Sequence, residues 1–227
     1  MSFPELGERV AEAKSRIAEA VARGGHGQLV TVVAVTKTHG PDAAAEAWAA
    51  GITDVGENRV QEALGKLAQV TVPVRWHLIG HLQRNKVRAL DSFSLFHALD
   101  SARLADAVDV FGRNRGIPMD VLIQVNPARE ETKGGFEVDE IDAEAARLAT
   151  KDGIRVTGVM TIARLGANEA ELRETFSAAR NARDAFARAG HPAAELSMGM
   201  SGDYEIAVEE GATLVRLGTL LFGAREQ

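Results

Sequence analysis

A lysine stands at the end of an apolar, β-branched run that begins at Val30 and stops at Lys37. An uninterrupted run of this kind is typical of a strand buried on both faces of a parallel sheet. In the ordinary case such a lysine packs its stem along apolar neighbours and places its ammonium group in water. The chemical alternative is an amine at the mouth of a closed sheet, partly desolvated so that it loses its proton and condenses with an aldehyde. Lys37 is therefore a candidate for Schiff-base chemistry.

Two segments near the end of the chain carry small and hydroxyl-bearing residues. Ser201 lies in the segment 197–203, and the pair Gly218 and Thr219 lies in the second. Glycine lets backbone N–H groups approach an anion, and a hydroxyl group adds a donor. Each residue taken alone is typical of a helix cap or a tight turn. Taken together, after the last two predicted strands, they predict a phosphate site.

Arg216 interrupts the apolar pattern of residues 214–217. A guanidinium group is always charged and needs an acceptor or a carboxylate when it is buried. Two interpretations stay open: an ion pair that ties the strand to a neighbour, or a contact with a ring nitrogen or phosphate of a ligand.

Helical patterns alternate with short apolar runs along the chain. An amphipathic helix is predicted over 4–23, and strands are predicted over 29–37, 52–55, 74–79, 93–99, 119–125, 154–160, 195–198 and 213–217. Further helices are predicted over 41–50, 59–68, 82–90, 101–115, 138–150, 168–189 and 204–210. This α/β alternation predicts a (β/α)8 TIM barrel with an extra N-terminal helix, as a single domain over 1–227. A doubly wound open sheet ranks second, because no Gly-x-Gly-x-x-Gly follows the first strand.

In such a barrel the C-terminal strand ends form the active face. That geometry brings together residues that are distant in sequence: Lys37, Glu57, Asn58, His77, His81, His97, Asp100, Asn126, Met160, Thr161, Ser201, Arg216, Gly218 and Thr219.

Composition excludes several classes of protein. The formal net charge is −6, which argues against a nucleic-acid binder. No cysteine is present, and the histidines follow no metal-ligand spacing. The sequence shows no signal peptide and no run of about 18 apolar residues, so a soluble protein of the cytoplasm without a membrane partner is expected.

Nine segments closely resemble the pyridoxal phosphate homeostasis proteins, the YggS/PROSC family: Ala34–Lys37, Gly56–Glu62, Trp76–Lys86, Gln124–Asn126, Lys133–Gly135, Gly158–Met160, Leu196–Ser201, Val215–Thr219 and Phe222–Gly223. The resemblance implies a barrel like the N-terminal domain of bacterial alanine racemase, with pyridoxal 5′-phosphate (PLP) as an internal aldimine on Lys37. It further implies that Ser201, Gly218 and Thr219 hold the phosphate, that Arg216 lies near the pyridine nitrogen, and that Asn58, His77 and Met200 are close to the cofactor. His81 and Arg84 depart from the residues typical of this family and are expected at the rim.

Three functions fit these residues. The first is a non-catalytic monomeric carrier that buffers PLP and delivers it to apo PLP enzymes. It is favoured because the racemase resemblance implies a second acid/base group from another domain, which is not expected here, and because Tyr204 is predicted to be an ordinary helix-start residue. The second is a racemase-like enzyme with Lys37 as its base. The third is an aldolase in which Lys37 forms an imine with a sugar phosphate, which would need a carboxylate or second lysine as proton shuttle.

Overall fold

The computed structural model of the protein describes residues 3–130 and 133–223. Within them, eight parallel strands close into a barrel in sequential order. The strands are β1 Thr31–Val35, β2 Asp54–Glu57, β3 Arg75–Leu78, β4 Leu95–Leu99, β5 Met119–Gln124, β6 Ile154–Met160, β7 Glu195–Met200 and β8 Leu214–Leu217. The α-helices are α1 Leu6–Gly24, α2 Asp42–Ala49, α3 Val60–Leu67, α4 Ala102–Arg115, α5 Ile141–Leu148, α6 Glu169–Arg188, α7 Tyr204–Glu209 and α8 Thr219–Phe222.

The closure of the barrel is visible at β1, the strand that precedes Lys37. It pairs with β2 on one side and with β8 on the other, in register Val33 to Asp54 and Val33 to Arg216. The strand has the sequence TVVAV, and four of its five residues are buried. A continuous apolar run of this type is expected where both faces of a strand are covered. The TIM-barrel prediction is therefore confirmed, and the open-sheet alternative is wrong.

The first helix completes the outer layer. The buried face of α1 consists of Leu6, Val10, Ala13, Ile17 and Ala20, at the three- and four-residue spacing of an amphipathic helix. This helix ends at Gly24 and is capped by Gly25, whose φ of 71° is left-handed and suits glycine. Because α8 is a single turn, α1 packs against both α7 and α8 and takes the place of a full eighth helix.

One predicted helix is of a different type. Residues 82–90 were expected to be α-helical, and the structure instead has a 3₁₀ helix at Arg84–Ser92. The buried residues of this segment, Val87 and Leu90, are three apart. That spacing matches the three residues per turn of a 3₁₀ helix and leaves no apolar stripe for an α-helix.

Smaller boundary differences follow from strand pairing. The strand predicted at 52–55 runs from Asp54 to Glu57, because its partners in β1 and β3 lie opposite Asp54–Glu57. The strand predicted at 195–198 extends to Met200, which pairs with Arg216 of β8. The helix predicted at 138–150 begins with a 3₁₀ turn before α5. The predicted domain 1–227 includes residues 1–2, 131–132 and 224–227, which lie outside the described residues.

Across residues 3–130 and 133–223, no helix has the length and apolar character needed to cross a membrane. The same residues contain no group of three or more His, Asp or Glu side chains placed to hold a metal ion.

Candidate functional site

A cavity of about 730 Å³ opens at the C-terminal ends of the strands. Its lining includes Val35, Lys37, Asn58, Ile79, Gly80, His81, Asp100, Gln124, Gly134, Ile162, Met200, Ser201, Gly202, Arg216, Gly218 and Thr219. Seven of the eight residues predicted from the family resemblance are in this set, and His77 is the exception. The barrel thus brings residues from both ends of the chain into one cavity at the face where such barrels place their active sites.

Lys37 lies in a turn that directly follows β1. Its side chain is half-buried, and it contributes to the cavity wall. The next residue, Thr38, has a φ of 69°, which is unusual for a β-branched residue. Strain of this type persists only where the surroundings hold the backbone in place, and it occurs often at ligand sites.

A buried ionic cluster holds this turn. Lys66 of α3 donates from Nζ to the Thr36 carbonyl (2.8 Å), to Glu57 Oε1 (2.7 Å) and to Glu62 Oε1 (2.8 Å). The Glu62 carboxylate also accepts the backbone N–H of Thr38, and Thr36 Oγ1 donates to Glu57 Oε1. The residues on either side of Lys37 are therefore both tied to the cluster of Lys66, Glu57 and Glu62. We call this group the Lys66 cluster.

The Lys66 cluster is desolvated on its inner side. Glu57 is fully buried, and its Oε2 finds no hydrogen-bond partner within the described part of the chain. Burial raises the pKa of Glu57, and the hydrogen bonds from Lys66 and Thr36 only partly oppose that rise. The Lys66 ammonium is the direct counter-charge of this carboxylate, at 2.7 Å.

Arg216 is a buried cation facing the cavity. Its guanidinium donates to the carbonyl (2.7 Å) and Oγ (2.6 Å) of Ser197 and to the carbonyl of Thr161 (2.9 Å). No carboxylate of the described residues lies within ion-pair distance of it, so the ion-pair interpretation finds no partner among them; the charge of Asp203 acts on Arg216 from a longer distance. Burial lowers the pKa of Arg216 to about 10, which still leaves it charged at neutral pH. Three of the five N–H donors of an arginine are used, so two remain for a ligand in the cavity.

Ser201 and the start of α8 face each other across one side of the cavity. Ser201 Oγ accepts hydrogen bonds from the backbone N–H groups of Leu220 (3.1 Å) and Gly218 (3.4 Å). Thr219 is exposed at the same place. Two hydroxyl groups thus lie beside two backbone N–H groups, which donate to Ser201 Oγ in this structure. Hydroxyl and backbone N–H groups at a helix start are the donors that a phosphate group needs.

Two glycines fix the positions of Asn58 and Met200. A Cβ on Gly80 would lie 2.3 Å from the Asn58 carbonyl oxygen, so only glycine lets these two strand ends approach each other. Gly199 has a φ of 91°, and a Cβ there would lie 2.7 Å from that of Ala207. The pairing of β7 with β8 shifts register between Ser197 and Met200, which turns Met200 toward the cavity wall.

His77 does not line the cavity. Its side chain is buried inside the barrel, where Nδ1 lies 2.8 Å from His97 Nε2 and Nε2 lies 2.9 Å from Asp54 Oδ1. The residues of this connection that do reach the cavity are Ile79, Gly80 and His81, which follow the end of β3. The structure therefore separates His77 from the other predicted site residues.

Sequence reasoning missed part of the cavity lining. Gln124 ends β5, and its Nε2 donates to the Gly134 carbonyl at 2.6 Å, which closes the wall opposite β1. At the mouth, His81 Nδ1 lies 2.8 Å from Asp100 Oδ2. The strand-end rule pointed to both His81 and Asp100, but the sequence does not show that they pair. Tyr204, in contrast, starts α7 and is not part of the cavity lining.

The fold and the site define a class of protein: a (β/α)8 barrel with a lysine and a group of hydroxyl and backbone N–H groups at its C-terminal mouth. The family model described as alanine racemase, N-terminal domain, matches residues 11–226 of this chain. The pyridoxal phosphate homeostasis protein of Aquifex aeolicus is 40% identical over 223 residues, which is 96% of this chain and 98% of the relative. The protein of the same name from Pseudomonas aeruginosa is 38% identical and covers 97% of this chain and 96% of its own length.

A solved structure agrees with these relatives. PipY of Synechococcus elongatus PCC7942 with PLP bound superposes with a TM-score of 0.84 at 36% identity, covering 96% of this chain and 100% of that one. The chain therefore belongs to the pyridoxal phosphate homeostasis protein family, within the wider group of alanine racemase N-terminal domains.

Proposed function

We propose that this protein binds PLP in the strand-end cavity through a covalent Schiff base with Lys37 and serves to buffer and deliver the cofactor. The observation that carries the proposal is that Lys37, the buried Arg216 and the donors around Ser201 line one cavity. The Lys37 amine would condense with the aldehyde of PLP and release water. The names of the relatives and the PLP bound in PipY support the same ligand.

The residues of the cavity fit each part of this cofactor. We assign Ser201, Gly218 and Thr219 to the phosphate, because they offer hydroxyl and backbone donors at one place. Arg216 would lie at the pyridine nitrogen, since its free N–H groups need an acceptor. Asn58 and Met200 would flank the ring. His77 would affect the cofactor only indirectly, through residues that line the cavity, because its own side chain is buried away from the cavity.

The covalent link is tested by spectroscopy and mass spectrometry. The protein is incubated with PLP, its absorption spectrum is recorded before and after borohydride reduction, and the modified lysine is located by peptide mapping. We expect a near-visible band that disappears on reduction and a pyridoxyl group on Lys37. Lys37→Ala should lose the band but retain weak binding, whereas Lys14→Ala, far from the cavity, should behave as the wild type. A colourless protein that takes up no PLP would refute the proposal.

Delivery is tested with an apo PLP enzyme as acceptor. We propose that apo PLP enzymes are the partners of a monomer in the cytoplasm, and the loaded protein should restore the activity of such an enzyme faster than Lys37→Ala mixed with the same total PLP. Equal rates would mean that only free PLP is transferred. Light scattering of the loaded protein measures its mass, and a dimer would refute the monomer.

A racemase-like enzyme remains the second candidate, because His81 and Asp100 line the cavity with Lys37. A histidine hydrogen-bonded to a carboxylate is a competent acid/base group, and racemisation needs two such groups. Amino-acid racemisation well above the rate of free PLP, lost in His81→Ala, would favour this function. Turnover at the rate of free PLP would favour the carrier. The sugar-phosphate aldolase gains no support from the relatives.

A further inference from the structure

A chain of buried polar side chains crosses the interior of the barrel from β2 to β8. Asp54 Oδ1 lies 2.9 Å from His77 Nε2, and His77 Nδ1 lies 2.8 Å from His97 Nε2. His97 Nδ1 lies 2.9 Å from Ser197 Oγ, which accepts from Arg216 at 2.6 Å. All five residues are at most 4% exposed. We call this group the Asp54–Arg216 relay; its last residue faces the cavity and its other four do not.

The two ends of the relay determine the direction of its hydrogen bonds. Arg216 can only donate, and an ionised Asp54 can only accept. Burial alone would raise the pKa of Asp54, but the hydrogen bonds from His77 and Arg75 outweigh it and lower that pKa to about 2. Asp54 is therefore ionised at neutral pH.

Between these ends, one arrangement keeps both imidazoles neutral. His77 must donate from Nε2 to Asp54, so its Nδ1 is an acceptor and takes the Nε2 proton of His97. The Nδ1 of His97 is then an acceptor for the hydroxyl proton of Ser197. Ser197 Oγ in turn accepts from Arg216. Every donor points from the cavity toward Asp54.

The opposite arrangement requires a buried imidazolium. If His97 carried its proton on Nδ1, its Nε2 would need a proton from His77 Nδ1, and His77 would have to be a cation to serve Asp54 as well. That arrangement also leaves the Ser197 hydroxyl proton without the His97 acceptor. Burial lowers the pKa of His97 well below its usual value, and the charge of Arg216 and the charge that His77 would carry in this arrangement lower it further, so His97 does not supply a second positive charge.

We propose that Asp54, His77, His97 and Ser197 are positioning residues, which orient the Arg216 guanidinium in the cavity wall through one polarised chain of hydrogen bonds. The relay places an electron-rich oxygen, Ser197 Oγ, against the buried cation, which forms no ion pair with a carboxylate of the described residues. At the other end of the relay, the largely exposed Arg75 neutralises the charge of Asp54 through a 2.8 Å ion pair. This proposal depends on the proposed function in one respect: the ligand that contacts Arg216 would be the ring of PLP.

The direction of the relay is tested in the cofactor-free protein by ¹⁵N NMR of the histidine side chains. We expect His77 and His97 each to carry a single ring proton, on Nε2, at neutral pH. His97 should keep this form from pH 6 to 8, in roughly the range where free histidine titrates, because burial lowers its pKa. His191 serves as the internal reference, because its Nε2 lies 2.9 Å from the Ala145 carbonyl oxygen and its ring packs against Phe186, outside the relay. An imidazolium at His77, or a proton on Nδ1 of His97, would overturn the proposed direction.

The positioning role is tested with Ser197→Ala, which removes the hydroxyl but keeps the backbone carbonyl bond to Arg216. We expect PLP affinity to fall about ten-fold, a change of about 1.4 kcal/mol, together with a shift of the absorption band. His97 should also lose its single tautomer, and Ser197→Thr should restore all three properties. Thr175→Val removes a buried hydroxyl of α6 outside the relay and should change none of them.

The two proposals fail in different ways. If the wild type takes up no PLP, the proposed function fails, but the tautomers in the cofactor-free protein still decide the direction of the relay. If the wild type binds PLP and Ser197→Ala matches it in affinity, spectrum and His97 tautomer, the positioning role is refuted. Should Ser197→Ala not fold, the wild-type NMR measurement alone decides the direction.

Discussion

Replacing Lys66 by methionine should reveal how strongly the Lys66 cluster is desolvated. Lys66 is 5% exposed, and its ammonium group is the direct counter-charge of the fully buried Glu57. Methionine keeps the length of the side chain but leaves that carboxylate without its cation. Removal of one partner from a buried pair typically costs about 3–5 kcal/mol, because the remaining charge is uncompensated. We expect the free energy of unfolding to fall by about that amount at pH 8.

The loss should depend on pH in a defined direction. Burial already raises the pKa of Glu57 above 4.5, and removing Lys66 would raise it further. A carboxyl group with a raised pKa in the folded state gives up stability as the pH rises from its unfolded pKa to its folded pKa. The difference between the variant and the wild type should therefore be small near pH 4.5 and grow toward pH 8.

Urea unfolding at several pH values measures both effects. Lys151→Met is the matched control, because Lys151 is 20% exposed and its 2.9 Å partner Asp106 is largely exposed. Its second partner, the buried Asp109, lies at 3.8 Å and keeps a 2.9 Å ion pair with Arg113, so the change should cost about 0–1 kcal/mol. Adding Glu57→Gln to Lys66→Met should recover a large part of the loss, since the unpaired charge is gone. Two results would refute the conclusion that the Lys66 cluster is desolvated. One is a loss of unfolding free energy in Lys66→Met no larger than that in the control, and the other is no recovery in the double variant.

Three further predictions concern the barrel interior and the cavity. Asp54→Asn should lower the free energy of unfolding by roughly 2 kcal/mol above pH 4, because the pKa of Asp54 is depressed in the folded state. This difference from the wild type should disappear as the pH falls toward 2, and urea unfolding at several pH values measures it. Ser201→Ala should weaken PLP binding by about 1.5–3 kcal/mol, the value of a charge-assisted hydrogen bond, as measured by equilibrium dialysis. Gly80→Ala should destabilise the protein in thermal melts, because its Cβ would meet the Asn58 carbonyl at 2.3 Å, whereas Gly65→Ala in α3, with open space around it, should stabilise it by about 1 kcal/mol.

Each of these predictions has a contrary result. A pH dependence of Asp54→Asn that parallels the wild type would mean that the carboxyl titrates alike in both states. Undiminished PLP affinity in Ser201→Ala would place the phosphate elsewhere in the cavity. Equal melting temperatures for the two alanine variants would mean that the strand ends near Asn58 can separate at no cost.

Features that depend on local pattern were predictable from the sequence. The alternation of helices and strands gives the barrel, and the barrel rule then places Lys37, Ser201 and Gly218 at one face. These three residues line the cavity as predicted because each lies within two residues of the end of a strand, a position that the sequence pattern locates without knowledge of the register. Its error at 82–90 also has a local cause, since the three-residue spacing of Val87 and Leu90 is easily taken for part of a helical pattern.

Features that depend on register across the barrel were not predictable. His77 precedes the end of β3 and points into the interior, whereas the nearby His81 reaches the cavity. The pairing of His97 with Ser197 joins residues one hundred positions apart. A one-residue difference in register would turn either side chain to the other face of its strand. No short motif in the sequence predicts which face each side chain occupies.

The same interior contacts bear on the choice between carrier and catalyst. Arg216 cannot act as an acid, and its protein contacts are oxygen atoms that hold it in place. A ring nitrogen against such a donor stays unprotonated, so the ring withdraws electrons less than it would beside a carboxylate. The proposed relay would strengthen this effect, because its hydrogen bonds all run away from the cavity and offer no proton to it. A cavity built in this way suits a protein that binds PLP and limits its reactivity, and catalysis would have to come from His81 and Asp100 at the mouth.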